Sequence, residues 1–89
     1  MKPKDVVKDI CELIRGIKWV PGSARVESGS RFVDDLGMDD LDRVEVVMMV
    51  EEFYGVEVPE ADLEGVDTVG KLAQCFIRRL DQKQNGGAR

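Results

Sequence analysis

Residues 32–59 read FVDDLGMDDLDRVEVVMMVEEFYGVEVP, and the clearest helix signals of the chain lie in this stretch. Asp39 is a favourable N-cap residue. Asp42 follows three residues later, where an acidic side chain suits the positive end of a helix dipole. Gly55 is the residue type that most often ends a helix, because glycine adopts the left-handed backbone conformation easily. The pattern therefore predicts a helix that is capped by Asp39 and runs to about Tyr54.

This predicted helix carries apolar residues on two faces, more than a single-sided core needs. The residues predicted to form its buried stripe are Val46, Val47, Val50 and Tyr54, with Phe53 nearby. A second apolar line consists of Leu41, Val44 and Met48 and is flanked by Glu45, Glu51 and Glu52. An apolar centre inside a polar rim is typical of a protein-docking surface. The alternative is that the second line closes the core.

Two further helices and one short helical turn are predicted around this stretch. Apolar residues recur at steps of three and four over residues 4–17, which favours a first helix. Residues 60–65 are compatible with a single helical turn, and Asp67 or Thr68 can cap a last helix. The apolar stripe of that helix is Val69, Leu72, Ala73, Phe76, Ile77 and Leu80. Together, these predicted elements form an all-α bundle of three longer helices plus one short helix.

The remaining segments are a long loop and a tail. Residues 18–38 contain two turn-forming clusters and are predicted to be a loop packed against the helices. The apolar residues expected to pin this loop are Trp19, Val20, Val26, Phe32 and Val33. Residues 1–80 are predicted to form one domain. Residues 81–89 contain no core residue and are predicted to be a flexible C-terminal tail.

The charge distribution narrows the classes of partner. The chain of 89 residues has a net charge of −5, but residues 34–64 hold twelve of its eighteen acidic residues and one base, Arg43. The net charge of that segment is −11, which repels nucleic acid and anionic membranes and attracts basic protein patches. The two cysteines match no metal-binding spacing, and we expect them to be reduced thiols.

Residues 32–59 resemble the centre of an acyl carrier protein. In that family an aromatic residue precedes Asp-Leu-Gly-x-Asp-Ser-Leu-Asp, and a Val-Glu-x-Val-Met helix follows and leads to Glu-Glu and an extended x-Ile-Pro. The matching residues here are 35–39 in the lead-in, 41–42, 44–45, 47–48 and 51–52 in the helix, and 57–59 at the exit. Thr68 and Val69 also resemble the opening of the family's last helix. The resemblance covers about residues 4–80 and implies the family's small helical bundle.

The resemblance also implies a function, and the sequence departs from the family's motif at one residue that this function requires. In the family a serine hydroxyl at the start of the second helix receives a phosphopantetheine arm, whose thiol carries acyl groups as thioesters. Here the residue at that position is Asp40. A carboxylate cannot form the phosphodiester link made through a serine, so we expect no cofactor at this position. Ser23, Ser28 and Ser30 lie outside the motif and are poor substitutes.

Two functions remain open from the sequence. The first is a non-enzymatic interaction module or scaffold that docks basic partners, either carrier-protein enzymes or helical assembly partners, on its second helix. The docking residues would be Asp39, Leu41, Val44, Glu45, Met48, Glu51 and Glu52. The second is an acyl carrier protein of fatty-acid or polyketide biosynthesis in which a Ser→Asp change blocks loading. Both predict a protein that is monomeric when free. Both place it in the cytoplasm of a bacterium, or in the mitochondrial matrix if a transit peptide has been removed.

Overall fold

Helices make up most of the described chain, which comprises residues 3–17 and 26–87 of a computed structural model, with side chains described over 5–17 and 26–82. Helix α1 spans Pro3–Arg15, α2 spans Asp40–Tyr54, a 3₁₀ helix spans Glu60–Leu63 and α3 spans Val69–Gly87. The β pairing within these described ranges is a single isolated bridge. The predicted all-α class and the count of three longer helices plus one short helix are therefore confirmed.

The ends of α2 lie where the local sequence signals place them. The Asp42 N–H donates to the Asp39 carboxylate at 2.8 Å, and the Asp39 N–H donates to the Asp42 carboxylate at 3.1 Å. This reciprocal capping box satisfies two backbone donors at the start of the helix. At the other end Gly55 has φ 68° and ψ 31°, and its N–H donates to the Glu51 carbonyl. Both predicted boundaries of α2 are confirmed.

One hydrophobic core joins the three longer helices. Helix α1 packs mainly on α3 and also contacts α2. The buried apolar residues from the helices are Val6, Ile10, Cys11, Ile14, Val46, Val50, Val69, Leu72, Ala73, Cys75, Phe76 and Leu80. The Tyr54 hydroxyl donates to Asp9 Oδ2 at 2.6 Å and so ties α2 to α1. Burial and this carboxylate partner raise the pKa of Tyr54 well above its usual value.

The loop before α2 supplies hydrogen-bond acceptors to the start of α3. The Val69 N–H donates to the Ser30 carbonyl at 3.1 Å, and the Gly70 N–H donates to the Ser28 carbonyl at 2.8 Å. The Thr68 Oγ1 accepts a third first-turn N–H at 3.2 Å. These acceptors replace the partners that the first turn of a helix cannot find within the helix itself. The loop is thereby fixed against α3.

The loop at Ser28 passes so close to α3 that residue 70 has no room for a side chain. We therefore expect Gly70→Ala to destabilise the fold. A Cβ on residue 70 would lie 2.5 Å from Ser28 Oγ and 3.0 Å from the Ser28 carbonyl oxygen. The hydroxyl can rotate away, but the carbonyl is held by its hydrogen bond. We expect a loss of about 1–2 kcal/mol in urea unfolding despite the better helix propensity of alanine. Gln74→Ala, at an exposed position of α3, is the control. A Gly70→Ala protein as stable as the wild type would contradict this packing.

The loop packs against the helices as predicted, but some of the residues that hold it are not the ones expected from the sequence. Val26 and Phe32 are buried, whereas Val33 is 55% exposed, so its predicted role in pinning the loop is wrong. Leu36 and Met38 are buried instead, because the turns over residues 31–38 point them inward while Val33 faces out. Trp19 and Val20, also predicted to pin the loop, lie outside the described residues. Phe53, placed near the buried stripe of α2, is 55% exposed.

Two helix boundaries differ from the sequence-based prediction. Helix α1 spans Pro3–Arg15 instead of residues 4–17, and α3 continues to Gly87, seven residues past Leu80. Apolar periodicity ends at Leu80, but backbone hydrogen bonding can continue past the last apolar residue, here first through Gln82, Lys83 and Gln84, which have good helix propensity. Residues 81–87 are therefore helical where a tail was predicted, and the flexibility of residues 81–89 stays a prediction. Within the described ranges, no helix is long and apolar enough to cross a membrane.

Candidate functional site

Asp40 is the first residue of α2, and its side chain is 95% exposed. Its carboxylate lies 3.4 Å from the Arg43 guanidinium, one turn further along the helix. The same guanidinium donates to the Val66 carbonyl at 3.1 Å and thus links α2 to the segment before α3. Position 40 therefore presents an accessible carboxylate at a helix start, where the helix dipole favours negative charge.

The second apolar line of α2 faces solvent. Leu41 is 67% exposed, Val44 is 51% exposed and Met48 is 54% exposed, while Val46 and Val50 on the other side of the helix are buried. The line therefore does not close the core. Large apolar side chains grouped on one exposed face are a feature of surfaces that bind other molecules.

The acidic flanks of this line are not equivalent. Glu45 and Glu52 are exposed, whereas the half-buried Glu51 accepts a hydrogen bond from the Val58 N–H at 2.9 Å. Glu51 therefore fixes the extended segment after α2, a structural role that the sequence analysis missed. This role could have been inferred from the sequence, because Val58 is predicted to be extended and apolar and its backbone N–H needs a hydrogen-bond acceptor. Because a change at Glu51 would disturb this segment, Glu45 is the better position at which to test the charge of α2.

A cleft of about 670 Å³ lies beside the exposed line, between α2 and the 3₁₀ helix. One wall of the cleft is α2 and the other is the segment 58–66, and the buried Leu72 of α3 is also part of the lining. The residues that line it are Phe32, Arg43, Val44, Val47, Met48, Glu51, Val58, Glu60, Ala61, Leu63, Glu64, Val66 and Leu72. Its size and mainly apolar lining are those of a binding pocket. The sequence analysis did not identify this cleft, because it depends on the spacing of the helices.

The serine and cysteine side chains offer little competing chemistry in the described ranges. Ser30 is buried, and its Oγ accepts a hydrogen bond from the Glu27 N–H at 2.9 Å. Ser28 is exposed in a turn, and Ser23 lies outside the described residues. Cys11 and Cys75 are free thiols and both are buried, and burial raises the pKa of Cys11. Among the residues described, no group of three or more His, Cys, Asp or Glu side chains could hold a metal ion.

The described chain is a small bundle whose second helix begins at an exposed site and presents an apolar, acid-flanked face. The family model described as "Phosphopantetheine attachment site" matches residues 7–76. The chain is 31% identical over 81 residues to the mitochondrial acyl carrier protein of Neurospora crassa, covering 91% of this chain and 60% of that protein. The chain belongs to the acyl carrier protein family.

Bacterial relatives show the same similarity. The chain is 39% identical over 70 residues to the acyl carrier protein of Prochlorococcus marinus, covering 79% of this chain and 86% of that protein. It is 32% identical over 80 residues to the meromycolate extension acyl carrier protein of Mycobacterium tuberculosis, covering 90% and 68% of the two chains. The chain thus spans about 60% of the length of the Neurospora protein and more of the bacterial ones.

Proposed function

We propose that this chain is a non-enzymatic interaction module of the acyl carrier protein family that docks basic partner proteins through α2. The observation that carries the proposal is the exposed apolar line on a helix whose opposite face already supplies the core. The docking residues are Asp39, Leu41, Val44, Glu45, Met48 and Glu52, with Glu51 contributing charge and local structure. The surrounding acidic residues favour a basic partner, because complementary charges speed encounter and select against acidic surfaces.

We further propose that the module works without a phosphopantetheine arm at position 40. The arm is joined by a phosphodiester to a hydroxyl, and Asp40 offers a carboxylate, so the residue present does not fit the group. The carboxylate keeps a negative charge at the start of α2, where a basic partner group can approach it. A monomer in the bacterial cytoplasm or in the mitochondrial matrix is consistent with both the docking role and the relatives described above.

Substitutions on α2 test docking with a surrogate partner, a synthetic amphipathic helix of leucine and lysine. Glu45→Lys should slow association, because steering by opposite charge is lost. Met48→Ala should mainly speed dissociation and cost about 1–3 kcal/mol of binding free energy, because an apolar contact is removed. Both side chains are exposed, so thermal melts followed by circular dichroism should stay close to wild type. Surface plasmon resonance separates the two rates.

Two control variants make the same changes away from α2. Glu12→Lys reverses a charge on the exposed side of α1, and Val33→Ala truncates an exposed apolar residue in the loop. Neither should change the binding rates as much as its counterpart on α2. Equal effects at the control and α2 positions would contradict a defined docking face. A large drop in the melting temperature of Met48→Ala would assign that side chain to the core.

A further inference from the structure

We propose that the charge at position 40 controls how firmly the segment 58–66 is held to α2, and that Arg43 transmits this control. The segment runs from the extended chain after α2, through the 3₁₀ helix, to the residues before α3. On this view Asp40 is a positioning residue that fixes the Arg43 side chain, and Arg43 in turn fixes the segment. The inference goes beyond partner docking and does not depend on it.

The segment 58–66 is tied to α2 by a side-chain hydrogen bond at each end. At its start the Val58 N–H donates to Glu51 Oε2 at 2.9 Å. At its end the Val66 carbonyl accepts a hydrogen bond from Arg43 Nη1 at 3.1 Å. Loss of the Arg43 bond would therefore loosen the segment on the side that leads into α3, while Glu51 still holds its start.

The Arg43 guanidinium uses two of its nitrogens for different partners. Nη1 donates to the Val66 carbonyl, and Nη2 lies 3.4 Å from Asp40 Oδ1. Because a guanidinium is planar and rigid, a carboxylate that holds Nη2 also orients Nη1. Asp40 precedes Arg43 by three residues on α2, a spacing at which side chains meet on a helix surface. An uncharged side chain at position 40 would leave the guanidinium freer to turn away from Val66.

Packing alone does not account for an arginine at position 43. Its Nε is buried and has no hydrogen-bond partner among the residues that the structure describes. A buried donor without an acceptor is unfavourable, and an apolar side chain of similar length would avoid this penalty. The contacts that offset the penalty are those of Nη1 with the Val66 carbonyl and of Nη2 with Asp40.

The ties that α3 makes to the same part of the chain do not use the charge at position 40. Arg79 Nε donates to the Glu57 carbonyl at 2.9 Å, just before the segment, and the Cys75 thiol donates to the Asp62 carbonyl at 3.3 Å. These bonds keep the segment on α3 when the Arg43 bond is lost. We therefore expect a local loosening of the segment and no change in the fold.

Hydrogen exchange of single backbone amides, followed by NMR at low salt, tests the inference. The reporters are the N–H groups of Asp62 and Val66, which donate within the segment to the Pro59 and Leu63 carbonyls. Asp40→Asn removes the charge at nearly constant size. We expect these amides to exchange about 2- to 5-fold faster in this variant, the effect of losing a surface ion pair. Asp40→Glu keeps the charge and should exchange like the wild type.

Two further variants identify the route of the effect. Arg43→Met removes the hydrogen bond itself and should speed exchange at Val66 by about 10-fold or more, because a charged donor is lost. Asp34→Asn is the matched control for Asp40→Asn, since Asp34 pairs with Arg31 at 3.3 Å over the same three-residue spacing, in the loop before α2. It should leave the exchange at Val66 unchanged. The amide of Phe76, within α3, reports global stability and should not change in the aspartate variants.

Salt provides a second test of the same ion pair. At about 1 M sodium chloride the Debye length is about 3 Å, so the difference between the wild type and Asp40→Asn should narrow. Equal exchange of the two proteins at low salt would overturn the inference. Equal acceleration in Asp40→Asn and Asp34→Asn would overturn it as well, because the effect would then be one of net charge. If Arg43→Met did not fold, the Asp40 variants would still decide, since that side chain is 95% exposed.

Discussion

Phe76→Ala should lower the free energy of unfolding by about 3–5 kcal/mol, the usual cost of removing a buried aromatic side chain. Phe76 is fully buried on α3, and its ring lies 6.2 Å, centroid to centroid, from the ring of Tyr54 on α2. Few large side chains are available to fill a core of this size. Domains are typically stable by only about 5–15 kcal/mol, so this single change should remove a large share of the total.

Phe53→Ala is the matched control for Phe76→Ala. Phe53 is 55% exposed and contacts Tyr54 edge to face with ring centroids 5.0 Å apart. We expect its truncation to cost about 1 kcal/mol, the worth of one aromatic pair at the surface. Urea unfolding of the two variants gives the comparison. Similar losses of unfolding free energy in both variants would contradict the burial of Phe76 in the core.

Asp40→Ser should convert the chain into a substrate of a phosphopantetheinyl transferase, an all-or-none change in mass. The substitution places a hydroxyl at the exposed first position of α2 and leaves the capping box formed by Asp39 and Asp42 in place. The Asp40 side chain is 95% exposed, and its ion pair among the described residues is the one with Arg43, so the fold should be unaffected. With coenzyme A and the transferase, we expect intact-mass spectrometry to show the addition of one arm.

Asp39→Ser tests whether position alone decides loading. Serine is also a good N-cap residue, so this variant keeps the start of α2 and moves the hydroxyl by one residue. We expect it to stay unmodified. An Asp40→Ser protein that also remained unmodified would mean that the surface read by the transferase is absent, and that more than the side chain at position 40 separates this chain from a carrier.

The parts of the fold that the sequence predicted well depend on neighbours in the chain. Asp39, Asp42 and Gly55 act on backbone groups within one turn of themselves, so the limits of α2 follow from local chemistry. The same holds for Thr68, whose hydroxyl caps α3. The exposure of Met48 was also predictable, because α2 carries more apolar surface than its contacts with the core can cover.

The parts that the sequence did not predict depend on the distance between helices. The cleft lies between α2 and the 3₁₀ helix, and nothing in either helix alone specifies the distance between them. The hydrogen bond from the Val58 N–H to Glu51 likewise needs the chain to fold back after Gly55. Val33 was expected to pin the loop because its side chain is apolar, but the turns of the loop give the inward positions to Leu36 and Met38.

The intact mass of the wild-type chain after treatment with a phosphopantetheinyl transferase and coenzyme A shows whether the chain can carry the arm. The claim is that this member of the acyl carrier protein family does not carry the arm. A serine-bearing acyl carrier protein, treated in parallel, shows that the enzyme is active. We expect the wild-type mass to remain that of the unmodified polypeptide, because Asp40 has no hydroxyl to accept the arm. A wild-type mass increased by one arm, at whatever residue, would contradict the claim.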